Sequence, residues 1–368
     1  LVALTLAVIP SPYVVEQPGP VFDTLGTVTV DTPVESSSET QASGPSDTSV
    51  SGETRKTKIP LITISGAESF PTMGALYLLT VSVLGNPENL PSWTEIIGAW
   101  FDPSKAVVPA SAIFPPNESQ KERDAANTVL MIDSQQDAIA AALTELGYDV
   151  VTGIEVAGFS EGSPAEGVLE ASDVITAFAG TKVTSVQGLR DAVASSGAGV
   201  PATVNFLRLG VPSEVTVVPI EREGNAIIGI GAKAKYNFPF DVSIRLDDVG
   251  GPSAGMMFAL GIIDKLTPQD IAGGAHVAGT GTIESRGVVG PIGGIRQKLY
   301  GAKTAGATVF LAPAANCDEV VGHIPAGLDV YSVGTLADSL KVLAYVEKYG
   351  DTAAEMNAKT GTLATCQN

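Results

Sequence analysis

The sequence predicts an α+β fold: one domain of mixed sheets and helices, with a small β-rich domain joined to it. Three observations point there. From Phe240 to Leu246 a short alternating run reads as a strand, and after a Gly-Gly-Pro turn an apolar, helix-compatible segment runs to about Leu266. From Leu146 to Ile220 short strand-like runs alternate with Gly and Ser turns, interrupted by one helix-compatible segment, GLRDAVASS. A chain of 368 residues also has room for two or three domains with their own cores.

The chain opens LVALTLAVIP, without an initiator methionine. Residues 1–9 are too few to span a bilayer. They fit the outer end of a truncated anchor helix, the remnant of a signal peptide, or a buried strand. The anchor is the favoured reading, and it places the rest of the chain outside the cytoplasm, at a cell surface or in a periplasm-like space. Residues 10–30 are Pro-rich and extended. Residues 31–59 are low-complexity and almost free of bulky apolar groups, so they are expected to form a disordered linker that cannot offset its ordering entropy by burial. From 60 to 145 the pattern is globular again. GALYLLTVSV (74–83) reads as a strand and is a candidate to complete the sheet of the larger domain, which would make the β-rich domain an insertion. WTEIIGAWF (93–101) reads as a short helix whose Trp93, Trp100 and Phe101 are expected to be packing groups. Two helices follow, from about Glu118 to Ile132 and from Ser134 to Leu146.

Residues 146–222 form the β-rich domain. Its GSPAEG turn, its SDVITAFAG segment and its LRLG before the last strand resemble PDZ domains of the type attached to extracytoplasmic proteases. The resemblance implies that an extended peptide adds to a strand edge and that a backbone nest holds its C-terminal carboxylate. On that basis the candidate ligand edge is Leu146, Gly147 and Tyr148, with a plain core role for Tyr148 as the alternative. Such a domain would dock substrates, restrict access to the nucleophile, or both.

Residues 225–346 carry the chemistry, and 347–368 read as a polar tail. Gly250 and Gly251 allow a sharp turn, and Pro252 suits a helix start because its missing N–H needs no partner there. Ser253 therefore sits at the positive end of a helix and is a candidate nucleophile, with the backbone N–H groups of Gly251 and Ser253 as candidate oxyanion donors. A serine needs a base. Ile295, Lys298, Leu299 and Ala302 fall at i, i+3, i+4 and i+7, one helical stripe, with Arg296 and Gln297 directed away from it. Burial on that stripe lowers the Lys298 pKa and equips it as a general base. Lys303, at the edge of the stripe, is a weaker candidate.

GGPSAG around Ser253, TGTIESRGVVGPIGGIRQK ending at Lys298, and AGATVFLAP beyond it resemble the proteolytic domain of Lon proteases over roughly Ile227 to Leu343. The resemblance implies an endopeptidase with a Ser–Lys dyad on Ser253 and Lys298. It also implies that Thr280 helps position the lysine, and it makes a hexameric ring the first guess for assembly. Many members carry an acidic residue three before the serine, where this chain has Gly250; Asp247 and Asp248 lie nearby.

Composition narrows the partners. Forty acidic against 21 basic residues give a net charge of −19, which argues against nucleic acid or anionic membrane surfaces. No G-x-x-x-x-G-K-[ST], H-E-x-x-H or C-x-x-C occurs, so no ATP requirement, cofactor or metal is implied. The expected partners are protein or peptide substrates, and a membrane through the anchor. Cys317 and Cys366, the two cysteines, are a candidate disulfide if the chain is exported. Two other functions remain open. Gly251–Gly255 also satisfies the G-x-S-x-G of α/β-hydrolases, with His276 or His323 as base. Alternatively, the chain is a PDZ binding or scaffold protein with a dormant protease domain.

Overall fold

A computed structural model describes residues 9–33, 54–115, 119–246 and 249–366. Of the expected anchor, residues 1–9, all but Ile9 lie outside the described residues, as do Asp247 and Asp248. Along the chain, β1 (Tyr13–Asp23), β2 (Thr27–Pro33), β3 (Thr54–Pro60), β4 (Ile62–Ser65) and β5 (Ala75–Leu84) precede α1 (Trp93–Trp100). Next come β6 (Ala106–Pro109), α2 (Ala110–Ile113) and α3 (Gln120–Glu145). The small domain follows as β7 (Val151–Phe159), β8 (Val174–Phe178), β9 (Thr181–Lys182), α4 (Val186–Ser196), β10 (Ala202–Arg208) and β11 (Val211–Val217). It closes with β12 (Ile220–Arg222), β13 (Asn225–Ile227) and β14 (Ile230–Tyr236). The chain then runs through β15 (Asp241–Ile244), α5 (Gly255–Leu266), β16 (His276–Gly279), β17 (Thr282–Ile283), β18 (Val289–Gly290) and α6 (Ile295–Thr304). It ends with β19 (Val309–Pro313), α7 (Cys317–Val320), β20 (Asp329–Val333), α8 (Leu336–Tyr349) and α9 (Ala353–Thr360).

The larger domain is built on one six-stranded sheet in the order β20-β19-β16-β5-β1-β6. β16 runs parallel to both β5 and β19, and β1 lies antiparallel between β5 and β6. The strand at 75–84 is therefore central to the sheet whose next strand leads into Thr280. Every residue of α5 from Gly255 to Asp264 is buried, as expected for a helix that is apolar on all sides and packed between layers. α3 covers α5 from outside and buries its face Met131, Ser134 and Ala138–Leu143.

The sheet β11-β10-β8-β7-β14 belongs to the small domain, which has its own core of Ile154, Phe178, Leu189, Val204 and Phe206. The chain leaves α3, builds this unit and returns to the larger domain at β15, which pairs with β4.

Several expectations need correction. The small domain extends to Tyr236 rather than ending at 222, because β14 pairs with β7 in its sheet. The two helices expected around residue 133 are one, since Asp133 and Ser134 do not break a helix already capped by Ser119 and Glu122. The ends of the 31–59 linker are ordered: β2 and β3 pair in register from Thr27↔Pro60 to Pro33↔Thr54. Trp93 packs edge-on against Tyr13, but Trp100 and Phe101 are 61% and 84% exposed. The polar tail docks on β20, where Ser332 N–H donates to Ala364 O at 2.9 Å. Cys317 and Cys366 are joined by a disulfide that closes a loop of 49 residues, worth on the order of 3–4 kcal/mol in the chain-entropy view. Among the described residues no helix is long and apolar enough to cross a membrane.

Candidate active site

Three segments converge on a cavity of about 840 Å³ that holds both Ser253 and Lys298. The first is the turn before α5. Gly251 bends the chain at φ +86°, a left-handed conformation that favours glycine, and the helix begins at Gly255 with Ala254 as its cap. Ser253 thus stands just ahead of the first helical turn. Its carbonyl is fixed twice, accepting from Gly281 N–H at 2.9 Å and from Thr280 Oγ1 at 3.0 Å.

The second segment is the end of β16, which delivers Thr280 with 1% exposure. The third is α6. Ile295, Leu299 and Ala302 are fully buried in a cluster with Leu79 and Ala278, and Lys298 shares their face with 2% exposure. The loop entering α6 is pinned by Asn316, whose amide donates to Ile292 O and accepts from Ile292 N–H, both at 2.9 Å.

Lys298 Nζ lies 2.8 Å from Ser253 Oγ and 2.9 Å from Thr280 Oγ1, donating to both. Among the described residues it forms no ion pair. Burial alone pushes its pKa down to about 7. Near neutral pH a substantial fraction is the free amine, which can accept the proton of the serine hydroxyl 2.8 Å away.

The structure thus brings Ser253, Lys298 and Thr280 together, and it corrects other readings. In this conformation Gly251 N–H is already engaged: it donates to Asn127 O on α3 at 3.2 Å, so Ser253 N–H alone of the two candidate donors is left for an oxyanion. Gln297 is buried, 2% exposed, while Arg296 is exposed as expected. Lys303 is exposed and bonds Gly327 O at 2.8 Å. Neither histidine lines the cavity, and His276 Nδ1 instead pairs with Tyr77 OH at 3.2 Å.

The edge assigned to Leu146, Gly147 and Tyr148 is also corrected. Leu146 caps the end of α3, and Tyr148 packs edge-on against Phe240 with ring centroids 5.6 Å apart. These residues precede β7, an interior strand flanked by β8 and β14, and so offer no strand edge. The end strand beside α4 is β14, and between the two lies a second cavity of about 330 Å³ lined by Leu189, Val193, Ile228 and Ile230.

The sequence reading missed Ser134, Asn127, Gly281 and Asn316. One signal was available for Ser134. It falls at i+3 from Met131 and i−4 from Ala138, on the apolar stripe, where a lone hydroxyl needs a buried acceptor; its Oγ donates to Pro252 O at 3.0 Å.

Residues 247–345 match the Lon protease (S16) C-terminal proteolytic domain. The chain is similar to Lon protease 1 of Sorangium cellulosum, 38% identical over 93 residues that make up 24% of this chain and 11% of that protein. It is 32% identical to the Lon protease of Haemophilus influenzae over 118 residues, 30% of this chain and 14% of that one. The matched stretch therefore spans between a tenth and a seventh of these relatives. The PDZ domain of an SdrC-like protein from Listeria innocua is also similar, at 28% identity and a TM-score of 0.21, covering 22% of this chain and 92% of that domain.

Proposed function

We propose that the Lon-type proteolytic domain at residues 247–345, a serine peptidase domain, works as an endopeptidase through a Ser253–Lys298 dyad and needs no ATP. The observation that carries this reading is the 2.8 Å contact between Ser253 Oγ and a lysine whose burial brings its pKa to about 7. Neutral Lys298 takes the hydroxyl proton as Oγ adds to the scissile carbonyl carbon and the carbonyl electron pair moves onto oxygen. The ammonium so formed returns that proton to the leaving amine as the C–N bond breaks. Water then attacks the acyl-enzyme, with Lys298 again as base, and Ser253 is released. Thr280 holds the lysine by accepting one of its hydrogens and ties that arrangement to the nucleophile turn through Ser253 O.

The small domain acts in this reading as a PDZ-like docking module, with the groove between α4 and β14 as its peptide site in place of Leu146–Tyr148. A free strand edge beside an apolar cavity suits an added peptide strand with an apolar terminal side chain. The test is hydrolysis of a reduced, carboxymethylated protein without nucleotide, by wild type and Ser253→Ala. Cleavage by wild type alone, unchanged on adding ATP, supports the reading. Equal cleavage by both proteins contradicts the dyad, and a strict ATP requirement contradicts the independence from nucleotide.

A further inference from the structure

The long helix α3 takes up a backbone donor of the nucleophile turn. Gly251 N–H, two residues before the nucleophile, is committed to Asn127 O at 3.2 Å. The approach is close: a Cβ on Gly250 would stand 2.7 Å from the Cβ of Asn127, so glycine at 250 lets α3 lie directly on the turn. Met131, one turn along, lines the cavity with Ser253. Ser134, a further turn along, bonds Pro252 O. α3 therefore grips the nucleophile turn at three successive residues, 250, 251 and 252.

The two ends of this grip differ in strength. Ser134 belongs to the half of α3 that is packed into the core, where Ala138–Leu143 are all buried. From Gln120 to Leu130 no residue is buried, and Val129 and Leu130 stand 56% and 45% exposed. Besides Asn127, that first half is held by Arg123, which lies over the Phe114 ring at 4.3 Å and bonds Ile113 O at 3.2 Å. Segments with so little buried surface open at low free-energy cost.

Building on the Ser–Lys reading, we propose that α3 is a built-in restraint on the protease. Asn127 holds Gly251 N–H out of the cavity, so the conformation described here lacks one of its two oxyanion donors. Loss of one such donor costs on the order of 10²–10³-fold in kcat. Withdrawal of residues 120–130 frees Gly251 N–H to join Ser253 N–H at the developing oxyanion. Ser134 stays engaged throughout as a positioning residue, holding Pro252 so that Ser253 Oγ remains on Lys298.

Gly250→Ala is the direct test. Gly250 is not among the left-handed glycines, so alanine suits its backbone while the new methyl pushes against Asn127. Arg123→Ala loosens the same half-helix from its far end without touching the turn. Both variants are expected to raise kcat on a short peptide about three- to tenfold with little change in KM, as a minor competent state gains population. Ser134→Ala is expected to lower kcat while KM holds. In wild type, a peptide boronate on Ser253 is expected to speed amide exchange across residues 120–130, a readout independent of whether any variant folds. Unchanged exchange, or no rise in kcat in either activating variant, overturns the restraint. If wild-type cleavage is still abolished by Ser253→Ala in that case, the dyad stands and only the restraint falls. Cleavage that survives Ser253→Ala overturns both.

Discussion

The larger and smaller domains treat buried charge in opposite ways. In the small domain each buried carboxylate is paired. Asp173, 2% exposed, receives Arg208 Nε at 2.9 Å and Nη2 at 2.7 Å. Glu155, 8% exposed, meets Lys235 at 2.7 Å and Lys233 at 3.0 Å, and the hydrogen bonds from these lysines hold its carboxyl below the usual range. In the larger domain Lys298 is just as buried and has two hydroxyls for company instead of a carboxylate. Paired charges keep their ionic form and serve the fold. A buried, unpaired lysine is forced towards its neutral form, which costs stability and supplies a base.

Substitutions can break this contrast. The largest effect is expected from Lys298→Met, which should lower kcat/KM by about a thousandfold or more. It should not destabilise the fold, because it removes a charge that folding desolvates. The sign follows from the lowered pKa. Between about 7 and the ordinary lysine value the unfolded chain binds a proton that the folded one lacks, so wild-type stability rises with pH across that window. Urea unfolding at several pH values should show this slope in wild type and its loss in the methionine variant. A smaller effect is expected from Thr280→Val, about tenfold in kcat with KM unchanged, since it removes the oxygen that orients the amine and the bond to Ser253 O. The mirror experiment is Arg208→Met. It strands buried Asp173 and should lower the urea midpoint of the small domain, while hydrolysis of a short peptide that needs no docking stays at the wild-type rate.

Ser253 and Lys298 were legible in the sequence because their signals are local. A Gly-Gly-Pro turn before an apolar helix, and a lysine on the stripe of Ile295, Leu299 and Ala302, each specify a neighbourhood within one element. The bond that occupies Gly251 N–H is not legible, because its acceptor, Asn127, lies on a helix far back in the chain and no periodicity reports such a contact. The end of the small domain is not legible because β14, IGAKAKY, turns the small Ala232 and Ala234 inward and so lacks the bulky apolar alternation of a strand. The sequence points to the start of that domain for the ligand edge, whereas sheet order sends the last strand, β14, to the end beside α4. Only the end of β2, residues 31–33, and β3 up to Ile59 fall in the expected linker; Thr and Lys are frequent there, a composition that reads as solvated chain even where two strands pair.

The pH dependence of kcat/KM on a short peptide tests the role of Lys298 most directly, because neutral amine is the form that accepts the serine proton. Activity is expected to rise with pH through a single inflection near 7, the value burial imposes on this lysine, and to keep that inflection when His276 and His323 are both replaced. A flat profile between roughly pH 6 and 9, or an inflection that vanishes with the histidines, would contradict it.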